Sequence, residues 1–210
     1  MTALLRPPAA SPARPGTGYL NLKGRCRAAG WYPEPVGGLR SRQDERMNGN
    51  EADLRALLRE LDDPQWLERP QHYDRGGIAA RFGDLVARLE GEFSAPCTAE
   101  QDTQDSSEFG RVTVPGDATV CGTRIVVCVS KFGSLALVCA DNPGAFLGTD
   151  EARAEGELDD ADLAKVDGVL AELGYAVVPE ELLESDYDGP GRLPSHVQWP
   201  TWWHRFFGIF

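Results

Sequence analysis

Two unbroken apolar runs stand out from an otherwise mixed chain: Ile125 to Val129 and Leu135 to Cys139. A strand with one wet face alternates apolar and polar residues, whereas a run with no polar side is covered on both faces. Between the runs lies Ser130-Lys131-Phe132-Gly133-Ser134, a short stretch with the Gly that suits a hairpin loop. Arg111 to Val114 alternates instead, and Pro115 ends it because Pro has no N–H to give to a ladder. That pattern predicts a less buried strand, nearer an edge. The three strands make an antiparallel meander whose centre must be shielded above and below.

Helical periodicity predicts the shields. Asn50 is a suitable N-cap, with Glu51 and Asp53 in the first turn, where the helix dipole favours acids. Leu54, Leu57, Leu58 and Leu61 then recur at i, i+3, i+4 and i+7, until Asp62-Asp63-Pro64 stops the helix. Trp66 and Leu67 are expected to tuck back towards the core. Gly76-Gly77 opens a second helix with Ile78, Phe82, Leu85, Val86, Leu89 and Phe93 on one face. Ser94 to Thr98 is expected as a short strand, and Glu100 to Ser107 as an exposed loop. Asp141 to Gly144 turns the chain, and Thr149 to Asp162 offers few apolar anchors. Asp159 or Asp160 caps a third helix carrying Leu163, Val166, Leu170 and Leu173, and Gly174 ends it. Tyr175 to Val178 is a further strand, and Pro179 starts a short helical turn through Leu183.

The last twelve residues hold three of the five Trp and three of the eight Phe. Thr201 can cap a short helix that places Trp202, Phe206 and Ile209 on one face and Trp203, Phe207 and Phe210 on the next. So short a helix is not stable alone in water, so it must dock on something. Covering the open face of the sheet is one use for it. Anchoring a partner is the other, which makes Trp202, Trp203, Phe206 and Phe207 candidate partner-binding residues.

The fold expected is therefore α+β: an antiparallel sheet of four to five strands (109–140 plus 175–178) with two to three helices and the aromatic end docked on it. Residues 1–46 are broken by six prolines and are expected to be a disordered basic tail, with 47–210 as one domain. Met47 is a possible natural start, being the only Met besides Met1.

Charge sharpens that division. Residues 1–46 hold eight Lys/Arg against three Asp/Glu, net +5, and residues 47–210 hold thirteen against thirty, net −17. An acidic body repels phosphate backbones and anionic lipid and suits a basic partner. No apolar run approaches the length of a membrane helix. The five cysteines are odd in number and form no Cys-x-x-Cys pair, which fits a reducing, cytoplasmic setting.

Chemical motifs are sparse. There is no P-loop, no Gly-x-Gly-x-x-Gly after a strand, no His-Glu-x-x-His and no Gly-x-Ser-x-Gly, so no cofactor is implied. Glu184 to Gly189 resembles the opening of a calcium loop, with Asp186 and Asp188 at alternate positions. The twelfth position is Ser195, where a bidentate Glu is needed, so a solvated acidic turn is the better description. Cys121, in Cys121-Gly122-Thr123-Arg124, is the one strand-region thiol beside a Gly and a charged neighbour, and a Cys–His pair with His72 would need the two to meet in space, but no family signature surrounds either. No catalytic or metal-binding residue is assigned. The sequence points to a non-enzymatic acidic module, an inhibitor or immunity-type protein capping a basic partner, with Asp186 and Asp188 joining the aromatics as candidate contacts. A small enzyme with a site where Cys121, His72 and the loop before Arg111 meet, or an oligomer joined through the aromatic end, are the alternatives.

Overall fold

The computed structural model describes residues 50–101, 106–195 and 197–208. The expected tail 1–46, Met47, Cys26, His196, Ile209 and Phe210 lie outside them. The protein is α+β. Its centre is a five-stranded sheet in the order β1-β2-β3-β4-β5, with β1 Thr98–Gln101, β2 Glu108–Val114, β3 Ile125–Ser130, β4 Leu135–Ala140 and β5 Ala176–Val177. The first four strands form an antiparallel meander, with Val127 opposite Val138 and Val112 opposite Val127. The last pairing differs from the antiparallel expectation: β5 runs parallel to β4, Leu135 facing Ala176. Helix α4 carries the chain back along the sheet before β5, which is what a parallel neighbour requires.

Every residue of β3 and β4 is buried. Their odd and even positions feed two separate cores. Ile125, Val127, Val129, Ala136, Val138 and Ala140 join the first, beneath α2 (Arg75–Phe93) and α4 (Asp160–Glu172). Phe82, Leu85, Leu89 and Phe93 from α2 and Val166, Val169 and Leu170 from α4 fill it. Val126, Cys128, Leu135, Leu137 and Cys139 face the second core. That core is closed by α1 (residues 50–61), α5 (Glu180–Leu183) and α6 (Trp202–Phe207), through Leu58, Leu182, Leu183, Trp202, Phe206 and Phe207. The shielding above and below that the apolar runs demand is thus supplied from both ends of the described chain.

Helix boundaries follow local chemistry. Asp74 caps α2 by accepting from Gly77 N–H, and Asp159 caps α4 by accepting from Ala161 N–H. Gly174 adopts φ +72° after α4, a left-handed conformation that Gly reaches without a Cβ penalty. Asn50 is already helical, so it does not cap α1.

Three elements depart from expectation. The strand before the meander is Thr98–Gln101, later than expected and wholly exposed. It is made by backbone pairing with β2, which leaves no hydrophobic signal. Helix α3 (Gly148–Ala154) occupies part of the acidic stretch, anchored by buried Ala152. Ser106 and Ser107 are buried rather than looped out. Both hydroxyls and the Ser107 N–H donate to the Gly208 carbonyl, at 3.1, 3.2 and 3.0 Å. Polar residues tolerate burial when their hydrogen bonds are made in this way.

One buried acid gives the fold a pH signature. Glu180 is 3 % exposed, and no Lys or Arg among the described residues forms an ion pair with it. Its Oε1 accepts from Gly144 N–H at 2.7 Å, and the Cys139 thiol lies 3.7 Å from Oε2. Burial pushes its carboxyl above the ordinary glutamate value, opposed by the hydrogen bonds from Gly144, Cys139 and Gly148. Between the ordinary and the raised value the folded protein binds more proton than the unfolded chain, so stability falls as pH rises through that window. Glu180→Gln should therefore match the parent in melting temperature below the ordinary glutamate pKa and exceed it at neutral pH. A glutamine variant that melts lower at pH 7, or differs equally at all pH values, would refute this.

Candidate partner-binding surface

The aromatic C-terminal segment folds as expected into a capped helix. Its cap uses His204, whose Nδ1 accepts from the Thr201 N–H at 3.1 Å, the job a Glu does in the usual capping box. Trp202 stacks on Phe206 at 5.8 Å and meets Tyr187 edge-on at 4.8 Å, and Phe206 meets Phe132 edge-on at 5.5 Å. The Phe206 carbonyl accepts from Ser130 Oγ at 2.7 Å, fastening α6 to β3. Trp202, Phe206 and Phe207 are therefore buried against the sheet, and the area they could offer a partner is used inside the fold. Trp203 is half-buried.

Arg205 sits among these aromatics with its side chain 0 % exposed, as is that of Asp62 at the end of α1. Nε donates to Asp62 Oδ1 at 2.5 Å. Nη1 donates to the Leu67 carbonyl at 3.0 Å, and Nη2 to the carbonyls of Asp63 and Trp66 at 3.2 and 3.3 Å. The guanidinium lies over the rings of Phe132 and Phe206, 4.4 and 5.0 Å from their centroids. Tyr187 donates to the other Asp62 oxygen at 2.5 Å and accepts from Gly191 N–H at 2.7 Å. Burial and the Asp62 hydrogen bond push the Tyr187 hydroxyl well above its ordinary pKa. A Cβ at Gly189 would run into Asp62 and Tyr187, so glycine is what lets this loop close. An arginine with all three nitrogens hydrogen-bonded, through four of its five N–H groups, and an acid with both oxygens used meet the condition under which a buried ion pair is tolerated.

Two surface segments are tied to this centre. The first is the 63–69 loop, which carries Trp66, 40 % exposed. The second is 186–191, which pairs with 199–201 through the Asp186–Thr201 bridge and the Tyr187 N–H to Pro200 carbonyl bond of 2.9 Å. Trp199 stands at its rim, 83 % exposed. Asp186 and Asp188 are exposed beside it. Asp188 pairs with Arg59 at 2.6 Å, which lowers its carboxyl pKa. Among the described residues no group of three or more His, Cys, Asp or Glu is placed to hold a metal ion.

No family model, curated protein or solved structure matches this chain.

Cys121 and His72 are not brought together. Val120 N–H donates to Asp162 in the first turn of α4, and Lys165 lies over Phe93 at the end of α2. His72 precedes the other end of α2, whose 19 residues span about 28 Å. Burial raises the pKa of the Cys128 and Cys139 thiols, and burial with Glu90 raises that of Cys97, all against thiolate chemistry.

The negative charge is concentrated as well as large. Residues 141–188 hold fifteen Asp/Glu against two Lys/Arg, which is net −13 of the −17 in 47–210. Ten of those fifteen are exposed, spread over α3, α4, α5 and the 184–188 turn. No helix among the described residues is long and apolar enough to cross a membrane.

Sequence inspection missed Asp62 and Arg205. Asp62 was legible only as a helix stop. Arg205 carried a usable signal: it lies three residues after Trp202 and directly before Phe206, so on a docked helix its head group must be buried and paired.

Proposed function

We propose that this protein is a non-enzymatic acidic binding module that caps a basic protein partner, in the manner of an inhibitor or immunity-type protein. The concentration of exposed carboxylates in 141–188 carries the proposal. Such a field speeds encounter with a basic surface and rejects acidic ones. Trp199 supports it as an exposed aromatic beside Asp186 and Asp188, since Trp is enriched where binding energy is concentrated. Asp186, Asp188 and the half-buried Trp203 are the candidate contacts that remain accessible.

Affinity capture with the full chain from its native cell, followed by calorimetry on the captured protein, tests the proposal. The partner should be basic. Affinity should fall steeply with salt, and drop at least tenfold in the triple variant Glu184→Gln, Asp186→Asn, Asp188→Asn. These side chains are exposed, so folding should be little affected. An acidic or neutral partner, or affinity indifferent to the triple variant, would overturn it.

A further inference from the structure

The 63–69 loop frames a cleft of about 320 Å³ lined by Gln65, Trp66, Leu67, Glu68 and Arg69. Its backbone is fixed from within: the carbonyls of Asp63, Trp66 and Leu67 all accept from Arg205. Trp66 N–H adds a 3.2 Å bond to the Asp63 carbonyl, and Gln65 N–H a 2.9 Å bond to the Asp63 side chain. The indole of Trp66 is thus presented to solvent by a preorganised loop, the condition under which a surface aromatic contributes most to binding.

We propose that this cleft receives one cationic side chain, Arg or Lys, of the basic partner, a reading that rests on the function proposed above. The indole face is the best aromatic surface for a cation. Glu68 supplies the opposite charge, and Gln65 a carbonyl acceptor. Arg69 lines the cleft too, and its like charge opposes the guest. Leu67, half-buried, gives the aliphatic stem an apolar wall. Arg205 acts as a positioning residue: it touches the loop's carbonyls and not the guest.

The test uses the full-length protein and three short capped peptides, Gly-Arg-Gly, Gly-Lys-Gly and Gly-citrulline-Gly, at low ionic strength. The readout is the indole N–H resonance of Trp66, assigned by its disappearance in Trp66→Phe. The arginine and lysine peptides should move it saturably, and the neutral citrulline peptide should not. Glu68→Gln should weaken the arginine peptide at least threefold, and Arg69→Gln should tighten it. No saturable shift, an equal shift with citrulline, or an affinity unchanged in Glu68→Gln would overturn the proposal. The two proposals fail separately. A basic partner that binds without moving the Trp66 resonance sinks the cleft alone. Peptides that occupy the cleft while no basic partner depends on the 184–188 carboxylates sink the proposed function alone.

Discussion

Arg205→Ala is expected to destabilise the fold by about 3–5 kcal/mol, the range for breaking a buried ion pair by removing one partner. The loss follows from what is left behind. Asp62 becomes a buried carboxylate whose remaining side-chain partner is the Tyr187 hydroxyl, and the carbonyls of Asp63, Trp66 and Leu67 lose their common donor. Against a typical domain stability of about 5–15 kcal/mol, the variant stands near the edge of folding. Urea unfolding at pH 7 measures the difference. The double variant Asp62→Leu with Arg205→Met should recover at least half of it, because an apolar pair removes the stranded charge. A single-variant loss below about 1 kcal/mol would mean that the pair contributes no more than a surface salt bridge.

The second large effect concerns the aromatic seal. Trp202→Ala or Phe206→Ala should each cost about 3–5 kcal/mol, the range for deleting a buried aromatic and leaving a cavity. Trp202 is buried between Tyr187 and Phe206, and Phe206 between Trp202 and Phe132. Trp199, three residues earlier, is exposed, and Trp199→Ala should stay within about 0.5 kcal/mol of the parent. The same chemical change at two neighbouring tryptophans thus separates core from surface. Equal losses at both would show that the segment does not sit on the sheet as described.

The architecture was legible wherever burial wrote itself into composition. Residues 125–129 and 135–139 are apolar at every position because both of their faces are covered, so two layers of cover could be inferred from one hairpin. The Leu stripe of α1, the apolar face of α2 and the Asp159–Gly174 limits of α4 were legible for the same reason. Strand β1 was not, because its stability lies in backbone pairing and all four of its side chains face water. Ser106 and Ser107 escape the pattern because polarity predicts exposure only when hydrogen bonds are left unmade, and here the Gly208 carbonyl takes them. Helix α3 hid in an acidic stretch with one small buried anchor, Ala152.

The surface proposed for partner binding was half legible. Asp186 and Asp188 announced themselves by charge and spacing. The aromatic run did not reveal which of its members turn inward: helix periodicity separates Trp202 from Trp203, but nothing local says that Trp199 stays outside. Asp62 and Arg205 are 143 residues apart, a separation no local pattern bridges.

The fold depends on a sheet sealed on both faces, with α1, α5 and α6 closing the side that holds Cys128 and Cys139. Thiol labelling of the native full-length chain, resolved by mass spectrometry at each cysteine, tests that seal directly. Cys128 and Cys139 should react orders of magnitude more slowly than in the urea-unfolded chain, and should speed up in Trp202→Ala. Native labelling of either at the unfolded rate would mean that the second face lies open to water.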